Sequence, residues 1–216
     1  MTEDQKKSFL LFDFDGTLAD TLSIVIKIVN DIGPQYKLRE INEIELQRIR
    51  MMSGRELIKY SGMPLRKIPF FIRRVQTELK HRIKEIKPFQ DIPGVLKSLS
   101  KSGYNMDILT SNLKNNVEEF LEMNNLTYFE DIYVCGNIFG KKHELEKFIK
   151  DKKLNGEDVI YFGDEIRDIE AAKSAGVKVA AVTWGYNDEN SLKQNNPDFL
   201  INHPRDILRL VNIFEK

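Results

Sequence analysis

Residues 9–18 are Phe9-Leu10-Leu11-Phe12-Asp13-Phe14-Asp15-Gly16-Thr17-Leu18, and the first four form an unbroken apolar run. Such a run is typical of a strand that is buried on both faces of a parallel sheet. Asp13 and Asp15 follow at once, and Gly16 supplies a turn. Charged groups at the end of a buried strand are costly unless a cation compensates them, and a divalent cation does so most directly. The stretch therefore predicts metal-assisted chemistry at the carboxyl end of the first strand.

The composition of the 216-residue chain is that of an ordinary globular protein, with 41% hydrophobic and 31% charged residues. Its length suits one domain, or one domain with an insertion. The 33 basic and 33 acidic residues balance, which argues against a nucleic-acid partner. No apolar run approaches the roughly 18 residues of a membrane span. Cys135 is the only cysteine, so no intramolecular disulfide can form and a cytoplasmic location is expected.

Helical periodicity replaces the strand pattern from Thr21 to about Ile86. A first predicted helix stops at Gly33-Pro34, Ser53 and Glu56 make a capping box for a second, and a third pattern covers residues 68–86. No strand pattern interrupts them. We therefore predict an all-helical insertion at residues 20–87 and a core formed by residues 1–19 and 88–216.

Predicted strands and helices alternate from Pro93 onward, which is the pattern of a parallel sheet. The fold class predicted is α/β, a doubly wound, Rossmann-like parallel sheet with the helical insertion. Ligands of such sheets bind at the carboxyl ends of the strands, so the site residues are expected there. The predicted strands after the first are 104–110, 132–135, 159–162, 177–182 and 199–201.

Polar residues follow the predicted strand that ends at Thr110. The hydroxyls of Thr110 and Ser111, together with Asn112 and free backbone N–H groups before a helix, suit a bound phosphate. The same residues would also serve as an ordinary helix cap.

A second acidic group follows the predicted strand that ends at Phe162. Gly163 allows close approach of the backbone, Asp164 projects toward Asp13 and Asp15, and Asp168 lies one helical turn later on the same side. Acidic residues in a first helical turn also favour the helix dipole, which is the alternative explanation. Asp13, Asp15 and Asp164 together offer hard oxygen ligands, which suit Mg²⁺ better than zinc.

The remaining candidates lie between and beside these strands. A lysine after Gly140 would neutralise a nucleophile and a phosphoryl group, and Lys141 is preferred to Lys142, although a surface lysine pair is the alternative. For Trp184-Gly185-Tyr186, loop packing is favoured over a role as a wall of the pocket. The histidines are scattered, and the motifs of P-loop proteins and serine hydrolases do not occur.

The stretch Asp13-Phe14-Asp15-Gly16-Thr17 resembles DxDGT, the first signature of the haloacid dehalogenase superfamily. Thr110 resembles the second motif, and residues 163–168 resemble the fourth, GDxxxD. Lys141 is similar to the third-motif lysine, although a proline often follows that lysine and Lys142 stands here. Because all four occur in order, the chain is identified as resembling the phosphoglycolate phosphatase-like group, whose fold carries a helical cap between the first two motifs.

The resemblance implies a Mg²⁺-dependent phosphomonoester hydrolase that acts on a small phosphorylated metabolite, phosphoglycolate-like or a sugar phosphate. Asp13 would attack phosphorus and form an aspartyl-phosphate, while Asp15 would bind the metal through its backbone carbonyl and use its carboxylate for proton transfer. The implied catalytic residues are Asp13, Asp15, Thr110 and Lys141; the phosphate or substrate contacts are Gly16, Thr17, Ser111, Asn112 and, from the insertion, Arg55; the metal ligands are Asp13, Asp15 and Asp164; and the supporting residues are Gly163, Glu165 and Asp168.

Other functions remain open at this point. A sugar-phosphate mutase of the same superfamily uses the same core, and a non-catalytic binding protein could keep the fold. A receiver-like phosphoacceptor domain also has acidic residues and a lysine, but the insertion and the Asp13-x-Asp15 pair do not suit it. The expected partner is a small phosphorylated substrate, with no nucleic acid and no membrane, in a monomer or a homodimer.

Overall fold

The structure is a computed structural model and describes residues 7–136 and 140–214. Within these residues, six strands form one sheet: β1 (Phe9–Phe12), β2 (Met106–Thr110), β3 (Ile132–Val134), β4 (Val159–Gly163), β5 (Lys178–Val182) and β6 (Phe199–Ile201). All neighbouring strands are parallel, in the order β3-β2-β1-β4-β5-β6. This is the order of a doubly wound, Rossmann-type sheet, so the predicted fold class is confirmed.

The apolar run that starts the chain forms a central strand. β1 pairs with β2 on one side and with β4 on the other, and Leu10 is level with Met106 and Ile160. All four residues of β1 are buried. A strand with neighbours on both edges and helices on both faces has no polar side to offer, which explains its continuous apolar sequence.

Helices account for most of the remaining chain. The described residues contain α1 (Leu22–Ile32), α2 (Glu43–Ile49), α3 (Gly54–Ser61), α4 (Ile68–His81), α5 (Ile92–Lys101), α6 (Lys114–Met123), α7 (Lys141–Lys152), α8 (Ile166–Ser174), α9 (Glu189–Gln194) and α10 (Asp206–Phe214). In the part of the chain that the structure covers, no helix combines the length and apolar character needed to cross a membrane.

Two apolar cores lie on opposite faces of the sheet, because successive side chains of a strand alternate. Leu10 and Phe12 belong to one core, which also takes residues from α1, α4, α5, α6 and α10. Phe9 and Leu11 belong to the other, with residues from α7, α8 and α9. The sheet is therefore covered on both sides, and its carboxyl edge is left for the site.

The helices α1 to α4 lie between β1 and α5, in the segment that we predict to be an insertion. The chain leaves and returns through adjacent residues: Ala19 pairs with Pro88 in an antiparallel bridge, and the Asp20 N–H donates to the Lys87 carbonyl at 2.9 Å. The predicted boundaries at residues 20 and 87 fall at this paired connection. Two short connections side by side can act as a hinge.

Some helices differ from the expectation. The third helical pattern stops at His81 as a helix and continues as a 3-10 turn at Ile83–Glu85. Ile83, within that turn, and Ile86, just after it, are both buried, so the apolar pattern continues beyond the end of the helix. The short helices α2 and α9 were not predicted, since six or seven residues carry too little apolar periodicity.

Candidate active site

The candidate site lies where the strand order reverses, beyond the ends of β1 and β4. Asp13 follows β1 directly, and its backbone N–H donates to the Phe162 carbonyl of β4 at 2.8 Å. Asp164 follows β4. Carboxylate oxygens of Asp13, Asp164 and Asp168 lie within 4.8 Å of one another, and all three residues are buried. Two residues that are 151 positions apart in the sequence (164 − 13) thus share one cluster.

Lys141 provides the positive charge of the cluster. It is the first residue of α7 and only 2% exposed, and its ammonium contacts the carboxylates of Asp13 and Asp168. Burial alone would lower the pKa of Lys141, but the two carboxylates outweigh it and the pKa lies above its ordinary value. Lys142 is exposed and pairs with Glu146 at 3.7 Å. The geometry therefore places Lys141, and not Lys142, at the cluster.

Asp13 is almost completely removed from solvent. Its Oδ1 accepts a hydrogen bond from the Phe14 N–H at 2.7 Å, and its Oδ2 faces the Lys141 ammonium. Burial raises the pKa of Asp13, and Lys141 opposes that rise. The Asp13 carboxyl group is thus poorly hydrated and held in one orientation.

Asp164 is held by the first motif and by the loop after β5. It accepts from the Thr17 hydroxyl at 2.8 Å and from the Tyr186 N–H at 2.7 Å. Burial first, and then the negative charges nearby, raise its pKa well above the ordinary value. Gly16 has a φ of +77°, and a Cβ there would overlap the Asp164 carboxylate. Gly16 therefore permits both the turn and the close approach.

The start of α8 supports Asp168. Glu165 and Asp168 form a capping box, in which the Asp168 carboxylate accepts from the Glu165 N–H at 3.0 Å. The Tyr161 hydroxyl donates to Asp168 at 3.3 Å. A Cβ at Gly163 would overlap the Asp168 carboxylate. Asp168 is thus committed to holding Lys141 and the helix start.

Asp15 points to the strand that neighbours β1 on the other side. The Asn112 side-chain amide donates to both Asp15 carboxylate oxygens, at 3.2 and 2.9 Å. Burial raises the pKa of Asp15, and the hydrogen bond from Asn112 opposes that rise. Thr110 is buried, and its hydroxyl accepts from the Asn112 N–H at 2.9 Å. Of the three polar residues at and after the end of β2, Asn112 is thus the one that binds Asp15.

Ser111 and Arg55 lie farther out. The Arg167 guanidinium contacts Glu165 and lies 3.5 Å from the Ser111 hydroxyl. Arg55, on α3 of the insertion, is exposed and lines a cavity of about 470 Å³ together with Lys141 and Arg167. Lys142 and Lys173 also line this cavity, with one acidic residue, Glu170. The cavity is therefore strongly basic.

Several residues at the site were missed from the sequence. Tyr186 was assigned to loop packing, yet its N–H holds Asp164 and its hydroxyl lies 3.0 Å from the Thr21 hydroxyl. Asn187 is buried, and its carbonyl oxygen accepts from the Ile166 N–H at 2.9 Å. These side chains carry no local motif, because their partners lie in distant parts of the chain. Only their position just after a strand end could have indicated them.

The residues present fit a divalent cation. Three buried carboxyl groups lie together and the Lys141 ammonium contacts two of them, so a further cation would compensate the remaining negative charge. Among the described residues the cluster consists of carboxylates alone, the hard donors that suit Mg²⁺ rather than zinc. Asp13 and Asp164 directly follow the neighbouring strands β1 and β4, whereas Asp168 lies within α8, so Asp13 and Asp164 are the side-chain donors expected at the strand ends.

Comparisons with known proteins identify chains of similar sequence and fold. A family model described as haloacid dehalogenase-like hydrolase matches residues 10–182. A phosphoglycolate phosphatase of Synechococcus elongatus is 32% identical over 203 residues, covering 94% of this chain and 96% of the relative. A pyrophosphatase of Oceanobacillus iheyensis is 27% identical over 218 residues, covering 94% and 95%. A crystal structure described as a predicted phosphatase from Clostridium acetobutylicum has a TM-score of 0.82 at 18% identity, covering 96% and 99%, and shares the fold.

Proposed function

The chain belongs to the haloacid dehalogenase-like hydrolase family and is a phosphatase, and we propose that it hydrolyses phosphomonoesters of small metabolites through an aspartyl-phosphate on Asp13 in the presence of Mg²⁺. The observation that carries this proposal is the buried contact of Asp13 with Lys141 beside Asp164. Asp13, Asp164 and the backbone carbonyl of Asp15 would hold the ion. When bound, Mg²⁺ supplies charge stabilisation for the phosphoryl group.

The chain's own residues account for each bond change. A carboxylate oxygen of Asp13 forms a bond to phosphorus as the bond from phosphorus to the ester oxygen breaks. Asp15 donates a proton to the departing oxygen, so that it leaves as an alcohol. Asp15 then takes a proton from water, whose oxygen attacks phosphorus and releases phosphate, and the Asp13 carboxylate is restored. Lys141 lowers the repulsion between the two anions throughout.

The groups around Asp13 have matching roles. Thr110 and Ser111 would bind the phosphoryl oxygens. Thr17 and Gly16 were also predicted to do so, but the Thr17 hydroxyl already donates to Asp164 and the Gly16 N–H to the Ala19 carbonyl. Residues 20–87 would act as a cap that excludes water from the site and contacts the organic part of the substrate. The paired connection between Ala19 and Pro88 supports a hinge at the predicted boundary.

We infer further that the preferred substrate carries a second acidic group beside the phosphate. The basic cavity that Arg55, Lys142 and Arg167 line would attract such a group. The two curated relatives agree in chemistry, since phosphoglycolate carries a carboxylate and pyrophosphate a second phosphoryl group. A panel of phosphomonoesters with and without a second acidic group, assayed for phosphate release with Mg²⁺, identifies the class.

The replacement Asp13→Asn tests the mechanism. It removes the nucleophile but keeps the shape, so turnover should fall at least about a thousandfold while the protein stays folded. Asp20→Asn is the matched control, because Asp20 is an exposed carboxylate of the same segment and should keep full activity. Phosphate release is measured in both variants, with the metal removed by a chelator and then restored.

Four results would contradict the proposal. Near-normal turnover by the Asp13→Asn variant would exclude the nucleophile, and full activity in excess chelator would exclude the cation. Formation of an isomeric sugar phosphate in a coupled isomerase assay, without phosphate release, would favour a mutase. Ligand binding with no release at all would favour a binding protein.

A further inference from the structure

A chain of side-chain amides connects Asp15 to the insertion. Asn112 donates to both carboxylate oxygens of Asp15. The Asn116 amide, one turn into α6, donates to Asn112 Oδ1 at 2.9 Å and to the Gln76 backbone carbonyl at 3.1 Å. Gln76 lies on α4 of the insertion, and its side chain donates to the Ser111 carbonyl at 2.5 Å. Asn112 and Asn116 are buried, with 2% and 0% exposure.

The hydrogen bonds fix which end of Asn112 faces Asp15. Asn112 Oδ1 accepts from the Leu113 N–H at 2.7 Å and from Asn116, so its NH₂ group is the end that remains for Asp15. If Asn112 were turned over, its oxygen would face the carboxylate, and its NH₂ group would face two donors. The donation from Asn116 therefore opposes this turn.

Asn116 has its own orientation fixed in the same way. Its two amide protons go to two acceptors, Asn112 Oδ1 and the Gln76 carbonyl. If the Asn116 amide were rotated by 180°, its oxygen would face these two acceptor oxygens, which would repel it. Asn116 Oδ1 is buried and has no hydrogen-bond partner among the described residues, which is an unfavourable arrangement for a side chain that served packing alone. An apolar residue of similar size would avoid that cost.

We propose that Asn116 is a positioning residue for the proton-transfer group Asp15, acting through Asn112 and anchored on the insertion by the Gln76 carbonyl. This inference rests on the proposed function. Asn116 does not touch the reacting atoms. Its effect is to hold the Asn112 amide, and with it the Asp15 carboxylate, in the orientation for proton transfer. It does so while the hydrogen bond from Asn116 on α6 to the Gln76 carbonyl on α4 is formed. A displacement of about 1 Å at such a group can lower the rate about a hundredfold.

The test uses two esters that differ in their need for an acid. Phosphoglycolate has an alkyl leaving group that must be protonated, whereas p-nitrophenyl phosphate releases a stable anion. The ratio of their kcat/KM values covers the steps up to formation of the phosphoenzyme, and so it reports proton donation to the leaving group. A loss of general stability or of phosphate binding would lower both values together.

The variants are Asn116→Leu and Asn116→Ala, neither of which can donate to Asn112. We expect kcat/KM for phosphoglycolate to fall at least about tenfold more than that for p-nitrophenyl phosphate in both. Asn115→Leu is the control, because Asn115 is an exposed neighbour on the same helix and should leave the ratio unchanged. Adding Asn116→Leu to Asp15→Asn should cause no further selective loss.

The outcomes separate this inference from the proposed function. An equal loss on both esters in the Asn116 variants, or a further selective loss in the Asp15→Asn background, would overturn the positioning role. If Asp15→Asn itself lowers kcat/KM equally for both esters, or if the unaltered protein hydrolyses neither ester, the proposed function is wrong. The Asn116→Ala variant keeps the test valid if Asn116→Leu does not fold.

Discussion

The carboxyl edge of the sheet and the helical insertion differ sharply in how they bury their residues. At the sheet edge even charged side chains are enclosed, as Lys141 and Asp168 show with 2% and 0% exposure. In the insertion, α2 and α3 contain no buried residue, and Ile44 and Leu65 are 76% and 75% exposed. Since local stability follows burial, the reaction centre should be rigid, and α2 and α3 of the insertion should open more easily.

The contacts between the core and the insertion also involve buried residues of the core. Two buried asparagines of the core, Asn116 and Asn187, donate to backbone carbonyls of the insertion at Gln76, Arg50 and Met52. A backbone carbonyl is present whatever side chain the residue carries. The insertion can therefore change its side chains, and with them its substrate contacts, without losing these points of attachment.

The largest effect on activity and stability is expected at the buried Lys141. Lys141→Met should abolish turnover and lower the free energy of unfolding by about 3–5 kcal/mol, because it leaves the Asp13 and Asp168 carboxylates buried without their partner. Urea unfolding of the metal-free protein measures the loss. Lys142→Met is the matched control, since its exposed pair with Glu146 contributes only about 0.3–0.5 kcal/mol. Similar losses in the two variants would refute the contrast between enclosed and exposed charges.

A smaller effect is expected at the attachment between the regions. Asn187→Ala removes the donor to Arg50 and Met52 and the acceptor of the Ile166 N–H, so the free energy of unfolding should fall by about 1–3 kcal/mol. The insertion should also be cleaved faster by trypsin, at Arg48 and Arg50 first.

Asn195→Ala separates this local attachment from general stability. Asn195 is half-buried and donates only within the core, to the Ser191 carbonyl at 2.8 Å. Cleavage of the insertion should remain at the unaltered rate in this variant. If both variants are cleaved equally fast, Asn187 acts on the whole fold and not on the attachment of the insertion.

Much of the sheet edge could be predicted from the sequence, because its signals are local. The apolar run of β1 and the carboxylates that follow it indicate a buried strand with a charged end, and Gly163-Asp164 repeats that pattern after β4. The structure brings Asp13 and Asp164 together with Lys141, whereas the Asp15 carboxylate lies against Asn112. Parallel strands place their carboxyl ends at one edge, so strand assignment alone is enough to predict the neighbourhood.

The supporting residues could not be predicted, because their partners are distant in sequence. Asn187 is 137 residues from Arg50, and Tyr186 is 165 residues from Thr21. Asn112 was predicted as a phosphate contact from its place after β2, but its amide lies against Asp15. Which of several polar groups a side chain meets depends on tertiary packing, and no periodicity encodes it.

The smallest effect on stability is expected at Arg55, an insertion residue predicted to contact the substrate. Arg55 is exposed, so Arg55→Met should change the free energy of unfolding by less than about 0.5 kcal/mol. If the basic cavity holds the second acidic group of the substrate, KM for phosphoglycolate should rise about tenfold with kcat nearly unchanged, which is the result of losing an interaction common to ground and transition states.

Two controls show whether this effect belongs to the second acidic group. The ester 2-hydroxyethyl phosphate replaces the carboxylate by an uncharged hydroxymethyl group, so its KM should not respond to Arg55→Met. Arg66→Met removes an exposed arginine of the insertion that does not line the cavity, and it should leave both KM values unchanged. An equal rise for both esters would mean that Arg55 contacts the phosphate or only steers anions to the site. The insertion would then cover the reaction centre without selecting the substrate through this residue.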